Sequence, residues 1–436
     1  MKVSDIIIIG AGAAGLMAAY ILSKAGKTVT VLEARNRIGG RIHTIYDKVF
    51  SAPVELGAEF VHGNLPVTLE LLKEAGIPTD DVQFEMWQHH DNSFAKSQEF
   101  VEGWDNFLEK VNQLEHDMPL HDFLEKHFAA DNYAKMRSQI ESYVAGYDTA
   151  DILDVSTFAL RNEWNHEDED AQHWINGGYS GMADYLANTV RDQGNTIQLN
   201  AVAKEILWKK DKVEIITTDN TAYEAGKVII ALPLGVLHAH KEEQGAIVFN
   251  PYLPEQSKAL KNICFGSIIK VLLEFDEIFW ESDAITELAG ADLSTMGFLF
   301  SDEAIPTFWT QSPTRSPLLT GWLGGPPSYQ KKDLSQEAIL ELTLTSLSNI
   351  FKISPELLSE KLVAWRVANW TADPYTRGSY AYEKVESPQA RKALNQPIVD
   401  TIYFAGEYLY DGPAMGTVEA ALNSGKNVAH MILKNK

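Results

Sequence analysis

The N-terminal part of the chain alternates between apolar runs and glycine-rich turns. Residues 6–9 are four isoleucines, a continuous run that indicates a strand buried on both faces of a parallel sheet. A turn at residues 10–15 leads into a segment whose apolar residues recur at helical spacing until Gly26. Residues 28–32 form a second apolar run. The pattern predicts a strand, a helix and a second strand joined in one β-α-β unit.

Beyond this unit the periodicity changes several times. From about residue 65 it becomes helical with acidic faces, including the stretch 101–124, and a further helix is predicted at 182–190. The other predicted elements are strands at 196–199, 203–208, 213–217 and 227–232, a second sheet-like region at 268–323, a helix at 335–351 and a last strand at 402–404. A final amphipathic helix begins at Thr417.

The composition is that of a globular chain with many acidic residues. Hydrophobic residues make up 45% and charged residues 22% of the 436 residues, and the formal net charge is -23. This charge disfavours nucleic acid and anionic membranes as partners and would concentrate cationic substrates near the protein. Solubility is the alternative explanation. The one cysteine, Cys264, excludes an intramolecular disulfide and a cysteine-based metal site, and no metal is expected.

The apolar N-terminus does not indicate a secretion signal. Asp5 precedes the isoleucines and Gly10 ends the run, as expected of a nucleotide-binding strand. No later stretch has the unbroken apolar length of a membrane span. We therefore expect a cytoplasmic protein without a membrane partner.

The first turn carries a dinucleotide-binding pattern. Gly10, Gly12 and Gly15 stand between the predicted strand and helix, and Glu33 ends the next strand, 18 residues after Gly15. Gly10 permits the tight turn, Gly12 lets the backbone approach a pyrophosphate, and Gly15 allows close packing of helix on strand. Glu33 can accept a hydrogen bond from a ribose hydroxyl. The helix N-terminus supplies partial positive charge to the pyrophosphate.

Two features favour FAD over a nicotinamide dinucleotide. Glu33 would repel the 2′-phosphate of NADP. Gly39, Gly40 and Arg41 follow a few residues after Glu33. The two glycines let the chain pass close to a cofactor, and the arginine can neutralise a diphosphate. NAD normally needs no such second contact. The spacing therefore predicts FAD.

The sequence resembles the flavin-containing amine oxidase family over almost its whole length. This family contains monoamine oxidases, polyamine oxidases and the catalytic domain of lysine-specific histone demethylases, and the motifs are most similar to those of polyamine oxidases. The motifs that carry the resemblance lie at residues 33–41, 55–63, 233–237, 265–271, 370–380 and 404–407. The chain has no long helical insertion between Leu237 and Lys270, which disfavours a histone substrate.

The resemblance implies an α/β fold made of two discontinuous domains. Residues 1–75, 181–250 and 396–436 are expected to form a Rossmann-type FAD-binding domain. Residues 76–180, mostly helical, and residues 251–395 are expected to form an α+β substrate domain with a mixed sheet. The number of subunits stays open.

The glycine motif and the resemblance together assign a set of residues to the cofactor. These residues are Gly10, Gly12, Ala14, Gly15, Glu33, Ala34, Arg35, Gly40, Arg41, Gly57, Ala58, Glu59, Val202, Trp370, Tyr375, Gly406, Glu407, Gly416, Thr417 and Val418. Ser379 stands where monoamine oxidases carry the cysteine that bonds to FAD, and Cys264 matches no flavin-linking motif. The FAD is therefore expected to be non-covalent.

Lys270 is the sharpest candidate for a catalytic residue. Both faces of its predicted strand, residues 268–273, are apolar, so the lysine is buried and burial would favour its neutral form. In the family that the sequence resembles, this lysine holds a water at flavin N5 and assists the reaction with oxygen. The alternative is a lysine that extends to a sheet edge.

Three further residues are candidates for the catalytic site. Tyr380 matches one wall of the family's aromatic cage, with core packing as the alternative. Thr417 replaces the second aromatic wall of monoamine oxidases, and as the predicted N-cap it would aim a helix N-terminus at the flavin. His62 matches a histidine beside the substrate nitrogen in many polyamine oxidases, or is a loop histidine with satisfied hydrogen bonds. The acidic segment 163–170 lines an entrance or is a solvated loop.

The implied reaction is the oxidation of an amine. A hydride passes from the α-carbon to flavin N5, the imine is hydrolysed, and oxygen restores the flavin with release of hydrogen peroxide. His62, Thr417 and the negative charge favour a polyamine. A monoamine or an L-amino acid is the first alternative, although an amino acid needs an arginine for its carboxylate and no clear candidate is present outside the cofactor motifs. A flavin-bound scaffold without turnover is the second alternative.

Overall fold

The computed structural model describes residues 3–82, 85–96, 101–165 and 172–434. The helices in this part of the chain are α1 (Ala13–Lys24), α2 (Pro66–Glu74), α3 (Trp104–Asn112), α4 (Leu120–His127), α5 (Ala134–Gly146), α6 (Thr157–Trp164), α7 (Ser180–Asp192), α8 (Leu234–Leu237), α9 (Pro254–Leu260), α10 (Asp283–Ala289), α11 (Gly325–Gln330), α12 (Gln336–Phe351), α13 (Pro355–Lys361), α14 (Ser387–Leu394) and α15 (Val418–Lys434).

The strands of the described residues form two large and three small sheets. They are β1 (Val3–Ile9), β2 (Val29–Leu32), β3 (Thr44–Ile45), β4 (Val54–Glu55), β5 (Phe60–His62), β6 (Thr79–Val82), β7 (Glu85–His90), β8 (Ser93–Lys96), β9 (Gln172–Ile175), β10 (Thr196–Gln198), β11 (Ala203–Lys209), β12 (Lys212–Thr217), β13 (Ala222–Ile230), β14 (Val248–Asn250), β15 (Cys264–Phe265), β16 (Ile268–Phe275), β17 (Met296–Ser301), β18 (Thr307–Trp309), β19 (Leu318–Gly324), β20 (Leu362–Asn369), β21 (Ala381–Tyr382) and β22 (Ile402–Phe404).

The larger sheet contains the predicted β-α-β unit. Its eight strands run in the order β10-β2-β1-β13-β12-β11-β14, and β22 also pairs with β13. Strand β1 lies between β2 and β13 and is parallel to both. The isoleucines at 6–9 are all buried, because helices or strands cover both faces of the sheet. The Rossmann-type α/β arrangement predicted from the sequence is confirmed.

One face of this sheet is covered by α1, α7 and α15, whose apolar sides form one core with Ile8. The contact between α1 and α15 is close because α15 presents Gly425. A Cβ atom at this position would lie 2.1 Å from the carbonyl oxygen of Ala14. The glycine is therefore required by the approach of the two helix backbones.

The second large sheet carries the predicted lysine strand. Its order is β20-β16-β19-β18-β17-β7-β8, so β16 is not at an edge. All eight residues of β16 are buried. Ile269, Val271 and Leu273 pack on one side against a core that includes Leu347 of α12, while Ile268 and Lys270 belong to the opposite face.

The helical prediction from residue 65 onward is wrong for residues 79–82 and 85–96. The described residues there form β6, β7 and β8. Asp91 and Asn92 adopt φ values of 52° and 59°, which makes the two-residue turn between β7 and β8. Strand β7 then pairs in parallel with β17, about two hundred residues later in the chain. The adjacent residues Asp91 and Asn92 are the local sequence signal for this hairpin. No local signal indicates the pairing of β7 with β17, because the two strands are far apart in the chain.

Residues 101–165 do form helices, as predicted, and α3, α4, α5 and α6 share one small core. The stretch 101–124 contains two helices, because residues between Asn112 and Leu120 leave the helical conformation. No helix among the described residues combines the length and the apolar character that crossing a membrane would require.

The five-segment division into two domains stays a prediction. Residues of α9 and α14, such as Leu260 and Leu394, belong to the core beneath the larger sheet, together with Ile7 and Ile230.

Candidate active site

A single cavity of about 2370 Å³ lies where the carboxyl ends of β1 and β2 face the second large sheet. Sites for one small ligand usually measure about 300–1000 Å³. The cavity therefore has room for a large cofactor and a substrate together. Every site residue predicted from the sequence lines it except Gly15, which lies behind the wall.

The glycines at the β1–α1 turn are needed for the shape of this wall. Gly10 has φ of 106°, and a Cβ there would lie 2.4 Å from the carbonyl oxygen of Ala231. A Cβ on Gly15 would lie 2.0 Å from the carbonyl oxygen of Gly10. Gly15 thus serves the packing of helix on strand, the role expected from its place in the motif.

Glu33 is held in place at the end of β2. Its side chain is buried and accepts hydrogen bonds from the backbone N–H of Ala11, at 2.8 Å, and of Arg35, at 2.9 Å. A carboxylate has about four acceptor positions, so it can still accept from a hydroxyl in the cavity. The geometry is compatible with the predicted contact to a ribose.

Arg41 and Glu407 form an ion pair in the cavity wall. Nη1 of Arg41 lies 2.9 Å from Oε1 of Glu407 and 2.6 Å from the carbonyl oxygen of Ser379. The other carboxylate oxygen of Glu407 accepts from the N–H of Ala381 at 3.2 Å. The sequence assigned both residues to the cofactor, and the structure shows that they also position each other.

Lys270 projects from β16 into a buried ion pair. Its Nζ lies 2.6 Å from Oε2 of Glu59 and 3.2 Å from the carbonyl oxygen of Gly57, and the two side chains are 1% and 5% exposed. Its ammonium also faces the ring of Trp309, 5.3 Å from the centroid. The alternative of a lysine extending to a sheet edge is excluded by this burial.

The structure places a carboxylate beside Lys270 that was not expected from the sequence. The expectation rested on desolvation alone, whereas Nζ of Lys270 and the carboxylate of Glu59 form a buried ion pair. Glu59 was assigned to the cofactor, and neither its pairing with Lys270 nor its contact with Gln311, 3.3 Å away, was predicted. These residues are more than two hundred positions apart, so no local pattern links them.

Tyr380 lies in the cavity wall against the turn before α15. Its hydroxyl donates to the carbonyl oxygen of Tyr147. A Cβ on Gly416 would lie 2.9 Å from the Tyr380 ring, so the glycine lets the chain pass beside it. Desolvation, followed by the negative charges of Asp148 and Glu163, raises the pKa of Tyr380 above its ordinary value. The ring is therefore neutral and both carboxylates lie near it.

Thr417 is the N-cap of α15, as predicted. Its Oγ1 accepts from the N–H of Ala420 at 3.2 Å and donates to the carbonyl oxygen of Ala414 at 2.6 Å. The helix N-terminus, with Val418 in its first turn, lines the cavity. The positive end of the helix therefore faces the space where a cofactor would lie.

His62 stands at the end of β5 with its ring toward the cavity. Nδ1 is 2.6 Å from the amide oxygen of Gln172, so Nδ1 donates and Nε2 stays available as an acceptor. Although the side chain has accessible surface, that surface faces the cavity, and desolvation by the surrounding protein lowers its pKa. Its ring lies edge-on to Tyr147, with the centroids 6.3 Å apart.

Of the acidic segment 163–170, Glu163 lines the cavity. Residues 166–170 lie outside the described residues. Ser379 also lines the cavity and shares a 2.6 Å hydrogen bond with Thr149, whereas Cys264 is not among the lining residues. The described wall therefore offers no thiol for a covalent bond to a cofactor. Groups of side chains suited to hold a metal ion do not occur among the described residues.

Comparison with known proteins indicates the same family as the sequence motifs. Residues 13–433 match the family described as flavin containing amine oxidoreductase. The chain is 28% identical to polyamine oxidase 4 of Oryza sativa subsp. japonica over 97% of its own length and 87% of the rice protein. It is 29% identical to lysine-specific histone demethylase 2 of Homo sapiens over 92% of its own length, but it spans 50% of that protein.

Solved structures with the same fold include two amine oxidases. A putrescine oxidase bound to putrescine superposes with a TM-score of 0.80 at 20% identity, over 99% of both chains. Cyclohexylamine oxidase from Brevibacterium oxydans IH-35A superposes with a TM-score of 0.79 at 19% identity, also over 99% of both chains. At this identity the likeness shows the fold.

Proposed function

The chain belongs to the flavin-containing amine oxidoreductase family and catalyses FAD-dependent amine oxidation, and we propose that its substrates are linear polyamines and its electron acceptor is oxygen. The observation that carries the choice of substrate is the charge of the cavity wall. The carboxylates of Asp148 and Glu163 lie beside Tyr380, on the same cavity as the glycine-rich turn.

The described residues fit FAD. Gly12 and Gly40 both line the cavity, and a Cβ on Gly40 would lie 3.2 Å from Cα of Gly12, so the glycines let the two backbone segments approach each other in the wall that a phosphate-bearing group would contact. Glu33 and the N-terminus of α15 stand on the same cavity. When bound, FAD would accept the two electrons that leave the amine.

Residues near Tyr380 can hold and prepare an amine. The uncharged ring of Tyr380 offers an apolar face, and the Nε2 acceptor of neutral His62 can take a hydrogen bond from an amine N–H. The carboxylates of Asp148 and Glu163 attract additional ammonium groups of the same molecule. A substrate with several amines uses all of these groups, whereas a monoamine uses part of them.

The arginines of the described cavity wall argue against an amino-acid substrate. Arg35 pairs with Asp373 at 2.5 Å, and Arg41 pairs with Glu407 at 2.9 Å. The third, Arg391, pairs with Glu383 and, at 3.1 Å, with Asp411. Since each guanidinium already contacts a carboxylate, its positive charge is largely offset, which weakens its attraction for the carboxylate of an L-amino acid. The names of the polyamine oxidase relatives also support the polyamine assignment.

Lys270 is proposed to act in the reaction with oxygen. Its ammonium is desolvated and fixed by Glu59, and a fixed positive charge stabilises negative charge that develops nearby. The side chain of Lys270 also cannot reach solvent, because the whole strand β16 is buried.

The decisive experiment measures hydrogen peroxide released from the purified yellow protein with linear polyamines, aromatic monoamines and L-amino acids. We expect the highest kcat/KM for polyamines. Higher values for monoamines or amino acids would overturn the substrate assignment, and no peroxide from any amine would favour a scaffold without turnover. A colourless protein that takes up no FAD would contradict the cofactor assignment.

A matched pair of variants tests Lys270. Lys270→Met should slow the reoxidation of reduced enzyme by oxygen while leaving FAD binding intact. Lys331→Met removes another lysine of the cavity wall and should leave reoxidation unchanged. Equal reoxidation rates in the two variants would refute the role of Lys270.

A further inference from the structure

One row of side chains crosses the second large sheet from the catalytic lysine to its far side. Lys270 pairs with Trp322, Trp322 with Thr307, Thr307 with Phe300, and Phe300 with Gln88. Residues directly opposite each other on neighbouring strands point to the same face of a sheet. All five side chains line the cavity.

The part of the cavity that this row lines, from Lys270 to Gln88, is here called the arm, and the row gives its length. It crosses four gaps between strands, from β16 through β19, β18 and β17 to β7, and neighbouring strands lie about 4.8 Å apart, so its ends are about 19 Å apart. An extended chain advances about 1.2 Å per bond, so a spermine-type tetra-amine measures about 16 Å between its end nitrogens and a four-carbon diamine about 6 Å. The tetra-amine spans most of the arm and the diamine does not.

The surface of this arm suits alternating methylene and ammonium groups. A second row, Trp309, Phe298 and Met86, runs beside the first and also lines the cavity. Trp309 and Trp322 have ring centroids 5.7 Å apart, and Phe298 and Phe300 are stacked at 6.1 Å. Aromatic faces bind both apolar segments and cations.

The far end of the arm is polar and carries a net negative charge. The carboxylate of Asp302 is 80% exposed and lies 2.6 Å from Nδ1 of His90, and Glu303 lines the cavity next to it. Lys96 and Glu85 also lie there and form an ion pair, so their charges cancel. Asp302 and Glu303 thus supply negative charge at this end of the cavity, which would attract a distal ammonium.

We propose that this strip, formed by Lys270, Trp322, Thr307, Phe300 and Gln88, binds the extended tail of a linear tetra-amine, whose distal ammonium lies at Asp302 and Glu303. The strip selects substrates by length, because a short diamine cannot reach the distal carboxylates. This inference rests on the proposed function, since it assumes that the reacting nitrogen is held near Tyr380.

The test compares kcat/KM for a four-carbon diamine and a spermine-type tetra-amine. Phe300→Trp narrows the arm and should lower kcat/KM for the tetra-amine about tenfold, with little change for the diamine. Asp302→Asn should lower it about twofold to fivefold, the range of an exposed charge pair. Asp292→Asn is the matched control, because Asp292 precedes the same strand, β17, and lies outside the cavity wall. This variant should leave kcat/KM unchanged for both substrates.

A binding measurement supplies a readout without turnover. The quaternary nitrogens of α,ω-bis(trimethylammonium) alkanes have no lone pair to form the C=N bond of an iminium, so these compounds cannot be oxidised by hydride transfer. Calorimetry on the holoenzyme should show tighter binding of the dodecamethylene than of the tetramethylene compound. Asp302→Asn should reduce this preference. If both lengths bind equally, or if Phe300→Trp affects both amines alike, the length-selecting strip is refuted while amine oxidation stands. If no amine is oxidised, the proposed function itself has failed.

Discussion

Replacing Glu59 by leucine leaves the ammonium of Lys270 buried without its carboxylate. The two side chains are 1% and 5% exposed and their charged atoms are 2.6 Å apart. Removing one partner of a buried ion pair costs about 3–5 kcal/mol, because the remaining charge is desolvated and uncompensated. The carbonyl oxygen of Gly57 at 3.2 Å and the Trp309 ring at 5.3 Å still contact the ammonium, so we expect the free energy of unfolding to fall by about 3 kcal/mol.

The reverse change, Lys270→Met, leaves the carboxylate of Glu59 with Gln311 at 3.3 Å as its described hydrogen-bond partner, and should cost about as much. The double variant removes both charges and fills the space with apolar side chains. Such replacements are often neutral, so the double variant should lie within about 2 kcal/mol of the wild type. The two changes should therefore be strongly non-additive, with a coupling energy of several kcal/mol.

The assay is denaturant unfolding of the wild type, both single variants and the double variant at one FAD concentration. The exposed pair Lys135 and Glu102, 3.1 Å apart and 73% and 72% exposed, supplies a control cycle with an expected coupling of at most about 1 kcal/mol. If the Glu59 and Lys270 effects add within about 0.5 kcal/mol, the pair is not an energetic unit and the reasoning from burial is wrong.

Three further changes test other parts of the structure. Gly425→Val should lower the free energy of unfolding by about 3 kcal/mol or more, because its Cβ would lie 2.1 Å from the carbonyl oxygen of Ala14; denaturant unfolding measures this, and an unchanged midpoint would contradict the close helix contact. Thr417→Ala should cost about 1 kcal/mol through loss of the N-cap, seen as faster amide exchange in the first turn of α15. Burial raises the pKa of Glu55 to about 7 from its ordinary 4.5, so the folded state holds a proton that the unfolded state releases. Its contribution to stability is full below about pH 4.5 and is lost toward pH 7, roughly 1 kcal/mol per pH unit, and the difference between wild type and Glu55→Gln should show this slope; a difference that does not vary with pH would refute it.

Much of the cofactor end of the molecule was predictable because its signals are local. The run of isoleucines, the glycine spacing and Glu33 lie within one β-α-β unit, where turn chemistry and periodicity act over a few residues. The same holds for Thr417, whose capping hydrogen bond spans three residues. The burial of Lys270 followed from the apolar residues on both sides of its strand.

The substrate end was less predictable because its contacts join distant parts of the chain. The hairpin of β7 and β8 had a turn signal at Asp91 and Asn92, but its place beside β17 depends on strand pairing across about two hundred residues. The row from Lys270 to Gln88 combines five strands, and a shift of one residue in any pairing would turn those side chains to the other face.

The sequence by itself therefore determined the local elements, the dinucleotide motif and the burial of the lysine strand. Tertiary structure alone decided which carboxylate accompanies Lys270 and which side chains share the cavity wall. The physical reason is that propensity, capping and periodicity are properties of neighbouring residues, whereas an ion pair such as Lys270 with Glu59 exists only after both strands have been packed into place.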